Sequence, residues 1–321
     1  MNKFVLTNSG NKKAGLFARW AFYFRVWLFT LALLLPAIEL QILGLSPSYE
    51  LPNASPSVSG SAAFNSQELK SLKIISWNLY NFGSSKNEAH LKFVANVVKS
   101  YDLVALQEIS TSFSGPQAVA RLSEELNRLG EKWDYLISNP TSGEGSERYA
   151  FLFKTKSIRL LGRGWLLNDL KMDEKIAREP YLARFKINEK SLLIANFHAI
   201  PVTKRPAAEI LLLEVLPDLY PNDNLLLLGD FNLSEKNEVF DGLKCKGIHP
   251  VLKNQKTSLK RKPDAKGRYL YSEYDNIFYK STTLGLIKSG VVDFVPDFEN
   301  LESARKISDH LPVWCEIFWK K

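Results

Sequence analysis

From Leu72 onward the chain alternates between the period of a strand and the period of a helix. Lys73-Ile74-Ile75-Ser76-Trp77-Asn78 predicts an apolar strand ending on a polar residue. Glu88 to Tyr101 places Leu91, Val94, Val97 and Val98 on one helical face. Asp102 to Leu106 predicts a second strand, which runs into Gln107-Glu108, and Pro116 to Leu129 a second amphipathic helix. Trp133 to Ile137 and Tyr149 to Phe153 predict strands, and Tyr181 to Ile187 with Ser191 to Phe197 predict a hairpin pair ending at His198. Pro206 to Leu219 predicts a helix with proline in its first turn. Leu225 to Leu228 predicts a buried strand leading into Gly229-Asp230, and Asp275 to Tyr279 and Leu311 to Phe318 predict the last strands. The pattern predicts one α/β domain over residues 72–321, with polar side chains at several strand ends.

The first residues follow another pattern. Lys3, Lys12, Lys13, Arg19 and Arg25 precede the apolar run from Val26 to Leu35, and Trp20, Phe22, Tyr23 and Phe24 sit just before it. A basic segment ahead of an apolar one suits a signal peptide or a signal anchor. Val26 to Leu45 has the roughly 20 residues a bilayer needs, although Pro36, Glu39 and Gln41 weaken its second half. No Ala-x-Ala cleavage site follows promptly, which favours a retained membrane anchor over residues 1–45. Secretion or periplasmic release after signal cleavage is the alternative, and a buried helix of a soluble protein a third. The basic residues would stay cytoplasmic and the remainder would lie outside. Residues 46–71, rich in Ser, Pro, Asn and Ala, predict a linker.

Composition narrows the picture only slightly. Lys plus Arg number 42 against 34 Asp plus Glu, a net charge of +8 that suits a phosphate-bearing partner or an anionic membrane. Cys245 and Cys315 are the only cysteines, and no Cys-x-x-Cys occurs. A disulfide framework and a structural zinc site are therefore not expected. Cys315 lies in a predicted strand and is expected to be a buried thiol.

The strand ends carry the chemistry. Asn78, Glu108, His198, Asp230, Asn232, Asp309 and His310 all stand there, and strand ends of a sheet can converge on one rim. Oxygen donors such as Asn78, Glu108, Asp230, Asn232 and Asp309 suit Mg²⁺, Mn²⁺ or Ca²⁺ and not zinc. Hard cations polarise a phosphoryl oxygen and offset the charge of its transition state. Two histidines can share acid and base roles, each with a carboxylate on its far nitrogen. Asp275 and Glu147 are placed to supply those carboxylates. Taken alone, Gly229-Asp230-Phe231-Asn232 and Ser308-Asp309-His310 could each be a turn; their order and joint presence argue for a site.

The series Ser76-Trp77-Asn78, Leu106-Gln107-Glu108, Phe197-His198-Ala199, Gly229-Asp230-Phe231-Asn232, Tyr274-Asp275-Asn276 and Ile307-Ser308-Asp309-His310-Leu311-Pro312 resembles the endonuclease/exonuclease/phosphatase superfamily. Asn78 to Gly83, Ser100 to Ile109, Glu147 to Phe153, Arg178-Glu179-Pro180 and Ala183-Arg184-Phe185 resemble its deoxyribonuclease I-like branch. The similarity covers nearly all of 72–319. It implies an α/β four-layer sandwich, two packed mixed β-sheets flanked by helices. It implies a divalent ion near Glu108, with Asn78 and Asp309 as further ligands, and Asp230 and Asn232 across the site. It also implies that Glu147 pairs with His198 and Asp275 with His310, the imidazoles flanking the scissile phosphate. Asn78 and Asn232 would touch phosphate oxygens, and Arg178 resembles a DNA-contacting arginine.

The chain departs from that branch in its grip on DNA. The family's arginine after Gln107-Glu108-Ile109 is replaced by Ser110, its groove-inserting tyrosine by Gly145-Ser146, and its disulfide has no cysteine immediately before Tyr274-Asp275. Lys253, Lys256, Lys260, Arg261, Lys262, Lys266 and Arg268 crowd one loop, with Asp264 as the counter-charge. Such a loop can hold a phosphate backbone without reading sequence, or can be a solvated, flexible segment. His90 and His249 match no family position and are expected at the surface. The resulting expectation is a monomeric, metal-dependent phosphodiesterase acting on nucleic acid, DNA first. A phosphoesterase for phospholipid headgroups is the alternative, and a non-enzymatic binding module is disfavoured by the full set of polar positions.

Overall fold

In the computed structural model, which describes residues 70–167 and 176–321, side chains along strand β1 (Leu72–Phe82) divide between two faces. A pleated strand imposes that period of two. Leu72 and Ile74 join one apolar cluster with Phe151, Phe185 and Leu226, whereas Ile75, Trp77 and Leu79 join another with Leu91, Val94 and Leu122. Strands β2 (Leu103–Ile109), β7 (Lys190–His198) and β8 (Leu225–Asp230) divide in the same way. Leu103, Ala105, Leu192, Ile194 and Leu228 face the first cluster. Val104 and Leu106 face the second, and Leu193, Ala195, Phe197 and Leu227 a third. Burial on both faces is why these strands read as nearly continuous apolar runs.

The first cluster lies between two six-stranded sheets. One adds β3 (Trp133–Ile137), β4 (Arg148–Lys154), β11 (Leu284–Val291) and β12 (Val313–Trp319), in the order β11-β12-β1-β2-β4-β3. The other adds β5 (Ile158–Leu166), β6 (Tyr181–Ile187), β9 (Ile248–Pro250) and β10 (Asp275–Lys280), in the order β5-β6-β7-β8-β10-β9. At the middle of each sheet sits a parallel pair, β1 with β2 and β7 with β8, and their other neighbours run antiparallel. Helices α1 (Glu88–Val98) and α2 (Ser114–Arg128) cover the outer face of the first sheet through Leu91, Val94, Val119 and Leu122. The short helices α3 (Ala207–Leu212), α4 (Leu216–Leu219) and α5 (Asp241–Cys245) cover the second through Ile210, Leu216 and Leu243. The expected four-layer sandwich of two mixed sheets flanked by helices is the observed architecture.

The differences have local causes. Pro206 to Leu219 is not one helix: a 3-10 turn at Leu213–Val215 separates α3 from α4. Pro217 lacks the N–H that would continue the α-helical ladder. Strands β5, β9 and β11 were not predicted. All three lie at sheet edges, and β5 and β11 carry exposed polar residues such as Arg159, Arg163 and Lys288. Solvent on one side dilutes the apolar signal of such strands. Cys315 is a buried thiol as expected, and Cys245 is exposed. Among the described residues no helix is long and apolar enough to cross a membrane. The predicted anchor and linker, up to residue 69, lie outside them.

Candidate active site

On the face between the sheets, each central strand changes from apolar to polar at the same end. A first polar layer follows Ile74, Ala105 and Ile194. Gln107 Nε2 donates to Ser76 Oγ at 3.0 Å and to Asn196 Oδ1 at 2.6 Å, across the sandwich. Asn196 Nδ2 donates in turn to the carbonyls of Leu106 and Ala150. These bonds clamp the two sheets together just beneath the site. Asn196 was not among the predicted residues, yet an amide at an inward position of an apolar strand is a signal that could have found it.

The next layer is the site itself. The parallel strands contribute their C-terminal ends: Asn78 from β1, Glu108 from β2, His198 from β7 and Asp230 from β8. Their antiparallel neighbours contribute their beginnings. Glu147 precedes β4, Asp275 opens β10, and Ser308 to His310 precede β12. Register places Asp230 opposite both His198 and Asp275.

Tight turns aim these side chains. Gly229, at φ +138°, has no room for a Cβ, which would fall 1.8 Å from the Phe197 carbonyl oxygen. Glu108 sits at φ +59°, where the ladder between β2 and β4 shifts register. That conformation is costly for a non-glycine residue and is typical of functional positions. Asn232, at φ +52°, closes a turn by giving its backbone N–H to Asp230 Oδ1 at 2.9 Å. Ser308 Oγ donates to the Asn78 carbonyl at 2.6 Å and accepts from the His310 N–H at 2.9 Å. Trp77 Nε1 bonds the His310 carbonyl at 2.8 Å.

The two histidines are held alike. His198 Nδ1 lies 2.8 Å from Glu147 Oε2, and His310 Nδ1 lies 2.8 Å from Asp275 Oδ2. Each turns Nε2 toward the same atom, Asp230 Oδ2, at 3.4 Å from His198 and 3.5 Å from His310. Burial alone would strip both imidazoles of their protons, but the surrounding carboxylates outweigh it. His198 is raised by Glu147 and Asp230 against an opposing Arg178, and His310 is raised well above the ordinary range by Asp275 and Asp230. Burial opposes the charge on Asp230, yet His310 and His198 hold its carboxyl below the usual range. Burial pushes the Asp275 carboxyl up to about 6, so the Asp275–His310 pair retains a proton to higher pH than a lone imidazole.

Arg178 is buried, not displayed. Its Nη1 lies 2.8 Å from His198 Nδ1 and 3.4 Å from Glu147 Oε2. Its Nε is buried without a partner. Asn232 gives one amide hydrogen to the Ala199 carbonyl at 3.0 Å. Asn78 presents its amide nitrogen, at 3.0 Å from Glu108 Oε1 and 3.2 Å from Asp230 Oδ2, while its oxygen accepts the Tyr80 N–H. This orientation makes Asn78 a brace between two carboxylates and leaves its oxygen, expected as an ion ligand, shared with the Tyr80 N–H.

The remaining expected ligands fit a hard cation. Asp309 Oδ1 is buried with no hydrogen-bond partner, and Asp309 Oδ2 meets Arg305 at 3.2 Å. Glu108, on its strained turn, accepts from Asn78 and from the Asn81 N–H. Asp230, Asp275 and His310 form another group whose ligand atoms lie within 4.8 Å of one another. His310 Nδ1 and Asp275 Oδ2 are already bonded to each other at 2.8 Å, so the orphaned oxygen of Asp309 is the better free donor.

Several residues of the site carry no strong sequence signal. Thr257 Oγ1 donates to Asp275 Oδ2 at 2.7 Å and accepts the Tyr274 and Asp275 N–H groups. Tyr149 Oη accepts the His198 N–H at 3.2 Å. Arg305 bonds the Leu259 and Lys260 carbonyls as well as Asp309. The basic loop is thus packed at its base: Thr257, Ser258 and Leu259 are buried, and Ser258 bridges His310. Lys260 and Arg268 both pair with Asp264. His90 is half-buried in the first turn of α1, where its ring accepts the N–H of the capping Asn87, whereas His249 is exposed. On the His198 side opens a cavity of about 540 Å³ lined by Ser84, Ser110, Thr111, Ser146, Glu108 and Arg178, among others.

The family model described as Endonuclease/Exonuclease/phosphatase family matches residues 75–310. Rat (Rattus norvegicus) deoxyribonuclease gamma is 26% identical over 276 residues, 76% of this chain and 83% of its own length. Among solved structures, an endonuclease/exonuclease/phosphatase family protein of Bacteroides thetaiotaomicron superposes with a TM-score of 0.60 at 18% identity, covering 78% of this chain and 98% of that one. A mannosyl-6-phosphatase of the same organism superposes with a TM-score of 0.58 at 19% identity, covering 77% and 99%.

Proposed function

Given that the chain belongs to the endonuclease/exonuclease/phosphatase family, we propose that its domain is a divalent-metal-dependent endonuclease, acting first on DNA and leaving 5′-phosphates. One observation carries this reading: two carboxylate-oriented imidazoles bring Nε2 to the same atom, Asp230 Oδ2, at 3.4 and 3.5 Å. Displacement at phosphorus needs a base for the entering water and an acid for the departing oxygen, on opposite sides of the phosphate. The water oxygen bonds to phosphorus, the P–O3′ bond breaks, and O3′ leaves with a proton.

Arg178 separates the two roles. A guanidinium 2.8 Å from His198 Nδ1 disfavours a second positive charge there. His198 is therefore the imidazole more readily neutral and takes the proton of water. His310, between Asp275 and Asp230, keeps its proton and gives it to O3′. Asp230 stabilises the imidazolium formed at His198. Asn232, with an amide hydrogen to spare, and Arg178 at the cavity wall are placed for phosphate oxygens, and Asn78 holds Glu108 and Asp230 in position. Glu108 and Asp309 would hold Mg²⁺, with Mn²⁺ or Ca²⁺ as substitutes. Such an ion would polarise a phosphoryl oxygen and offset its developing charge.

The likeness to rat deoxyribonuclease gamma supports nucleic acid as the substrate. A second reading, hydrolysis of phospholipid headgroups, is favoured by the basic and apolar N-terminal run over residues 3–45, which would tether the domain outside the cytoplasm. The purified full-length chain in detergent should nick plasmid DNA with Mg²⁺ or Mn²⁺ and stop on chelation. Headgroup release with DNA left intact would sink the nuclease reading.

A further inference from the structure

The two flanks of the catalytic pair differ in what they show to solvent. The wall of the cavity beside His198 is mostly polar, with serines, a threonine and charged groups and no tyrosine, phenylalanine or tryptophan, although Tyr80 and Phe113 are exposed close to its Asn81 and Thr111 along the chain. Beside His310 the surface is aromatic. The Tyr274 ring lies 6.4 Å from the His310 ring at 29°, and Tyr271 meets Tyr274 edge to face at 6.5 Å and 82°. Tyr271 is 58% exposed, well beyond what a packed tyrosine shows. Both tyrosines have pinned backbones: the Tyr271 N–H bonds the Ser258 carbonyl at 2.8 Å and the Tyr274 N–H bonds Thr257 Oγ1 at 3.1 Å. The row His310, Tyr274, Tyr271 thus runs outward from the reacting centre on a fixed hairpin base. The preceding residues of the same hairpin line a cavity of about 510 Å³ with Lys256, Lys260, Arg268, Tyr269 and Leu270, where Lys260 and Arg268 share Asp264 and Lys256 makes no ion pair among the described residues.

We propose that Tyr271 and Tyr274 form a nucleobase-stacking platform beside His310, so that the enzyme takes single-stranded or unpaired nucleic acid in preference to closed duplex. The argument rests on the nuclease reading above. An exposed aromatic face stacks any base because every base has a π-face, and neighbouring cations hold the backbone that carries it. In a duplex the stacking faces are already covered by adjacent base pairs, and extruding a base costs free energy. A phosphate at the two imidazoles would have its leaving-side nucleoside next to His310, where this platform stands.

The test uses the full-length chain on one sequence in three forms: single-stranded DNA, duplex DNA, and a single strand with abasic sites throughout. Wild type should favour the first over both others. Tyr271→Ala should raise KM on single-stranded DNA roughly tenfold with the loss falling on KM and not kcat, the scale of one lost base–aromatic stack. Tyr271→Phe should restore it, and the variant and wild type should converge on the abasic strand. Duplex preference in wild type, or an unaltered KM in Tyr271→Ala, would overturn the platform while leaving the nuclease reading intact. So would a loss in Tyr271→Ala confined to binding of anionic phospholipid vesicles. Headgroup hydrolysis with no cleavage of any DNA form overturns both.

Discussion

The His198 and His310 halves of the site are built to one plan and differ in their charged neighbours. Each imidazole leans on a carboxylate through Nδ1 at 2.8 Å and turns Nε2 to Asp230. Beside His198 the extra neighbour is the Arg178 guanidinium; beside His310 it is the Thr257 hydroxyl, acting on Asp275. A cation beside His198 and a further carboxylate, Asp309, beside His310 make two identical side chains unequal in proton affinity. On the proposed mechanism, environment and not residue type divides acid from base.

The largest effect should come from removing either imidazole. His198→Ala and His310→Ala should each lower kcat on DNA by at least about a hundredfold, the scale of lost acid–base catalysis. The comparison sharpens on a p-nitrophenyl phosphodiester, whose leaving group needs no proton. There His310→Ala should recover most of its rate and His198→Ala should not. Equal recovery in both would erase the distinction.

Arg178→Gln tests the cause. Without the guanidinium, His198 should hold its proton more tightly, and the acid limb of kcat/KM against pH should move up by about one unit. An unmoved limb would leave Arg178 a binding residue only. On the other half, Thr257→Val removes a donor to Asp275 and an acceptor for two N–H groups. Urea unfolding should show a loss of roughly 1–3 kcal/mol, the penalty for stranded buried polar groups. A neutral outcome would mean that water replaces the hydroxyl.

The smallest effect is in stability against pH. Both histidines have raised pKa values in the folded chain, His310 well above the ordinary range. Their stabilisation is complete below the unfolded value of about 6.5 and is lost as pH rises through the folded value. In chelator, the Tm advantage of wild type over His310→Gln should therefore shrink from about pH 6.5 upward, and over His198→Gln, whose shift is the smaller, the shrinkage should start there too and be complete at lower pH. An advantage that grows with pH would reverse the assigned charges.

Much of this was legible in the chain. The inward positions of β1, β7 and β8 end on Asn78, His198 and Asp230, and a period of two reveals that without coordinates. The pairing of Glu147 with His198 and of Asp275 with His310 came from resemblance, and the distances of 2.8 Å place both pairs in contact. Thr257 was hidden because it stands in a loop that reads as a run of lysines. The edge strands β5 and β11 were hidden because one-sided burial leaves too weak an alternation, and β9 because three residues are too few to show one.

By itself the sequence determined which residue types reach the ends of the central strands, since side-chain alternation is a local property of extended backbone. Only the tertiary structure decided that parallel strands lend their ends and antiparallel strands their beginnings to one rim. It alone set Arg178 against His198, Thr257 against Asp275, and Tyr271 beside Tyr274 and His310. Proton affinity and surface character depend on neighbours a few ångströms away that are distant along the chain, and packing chooses those neighbours.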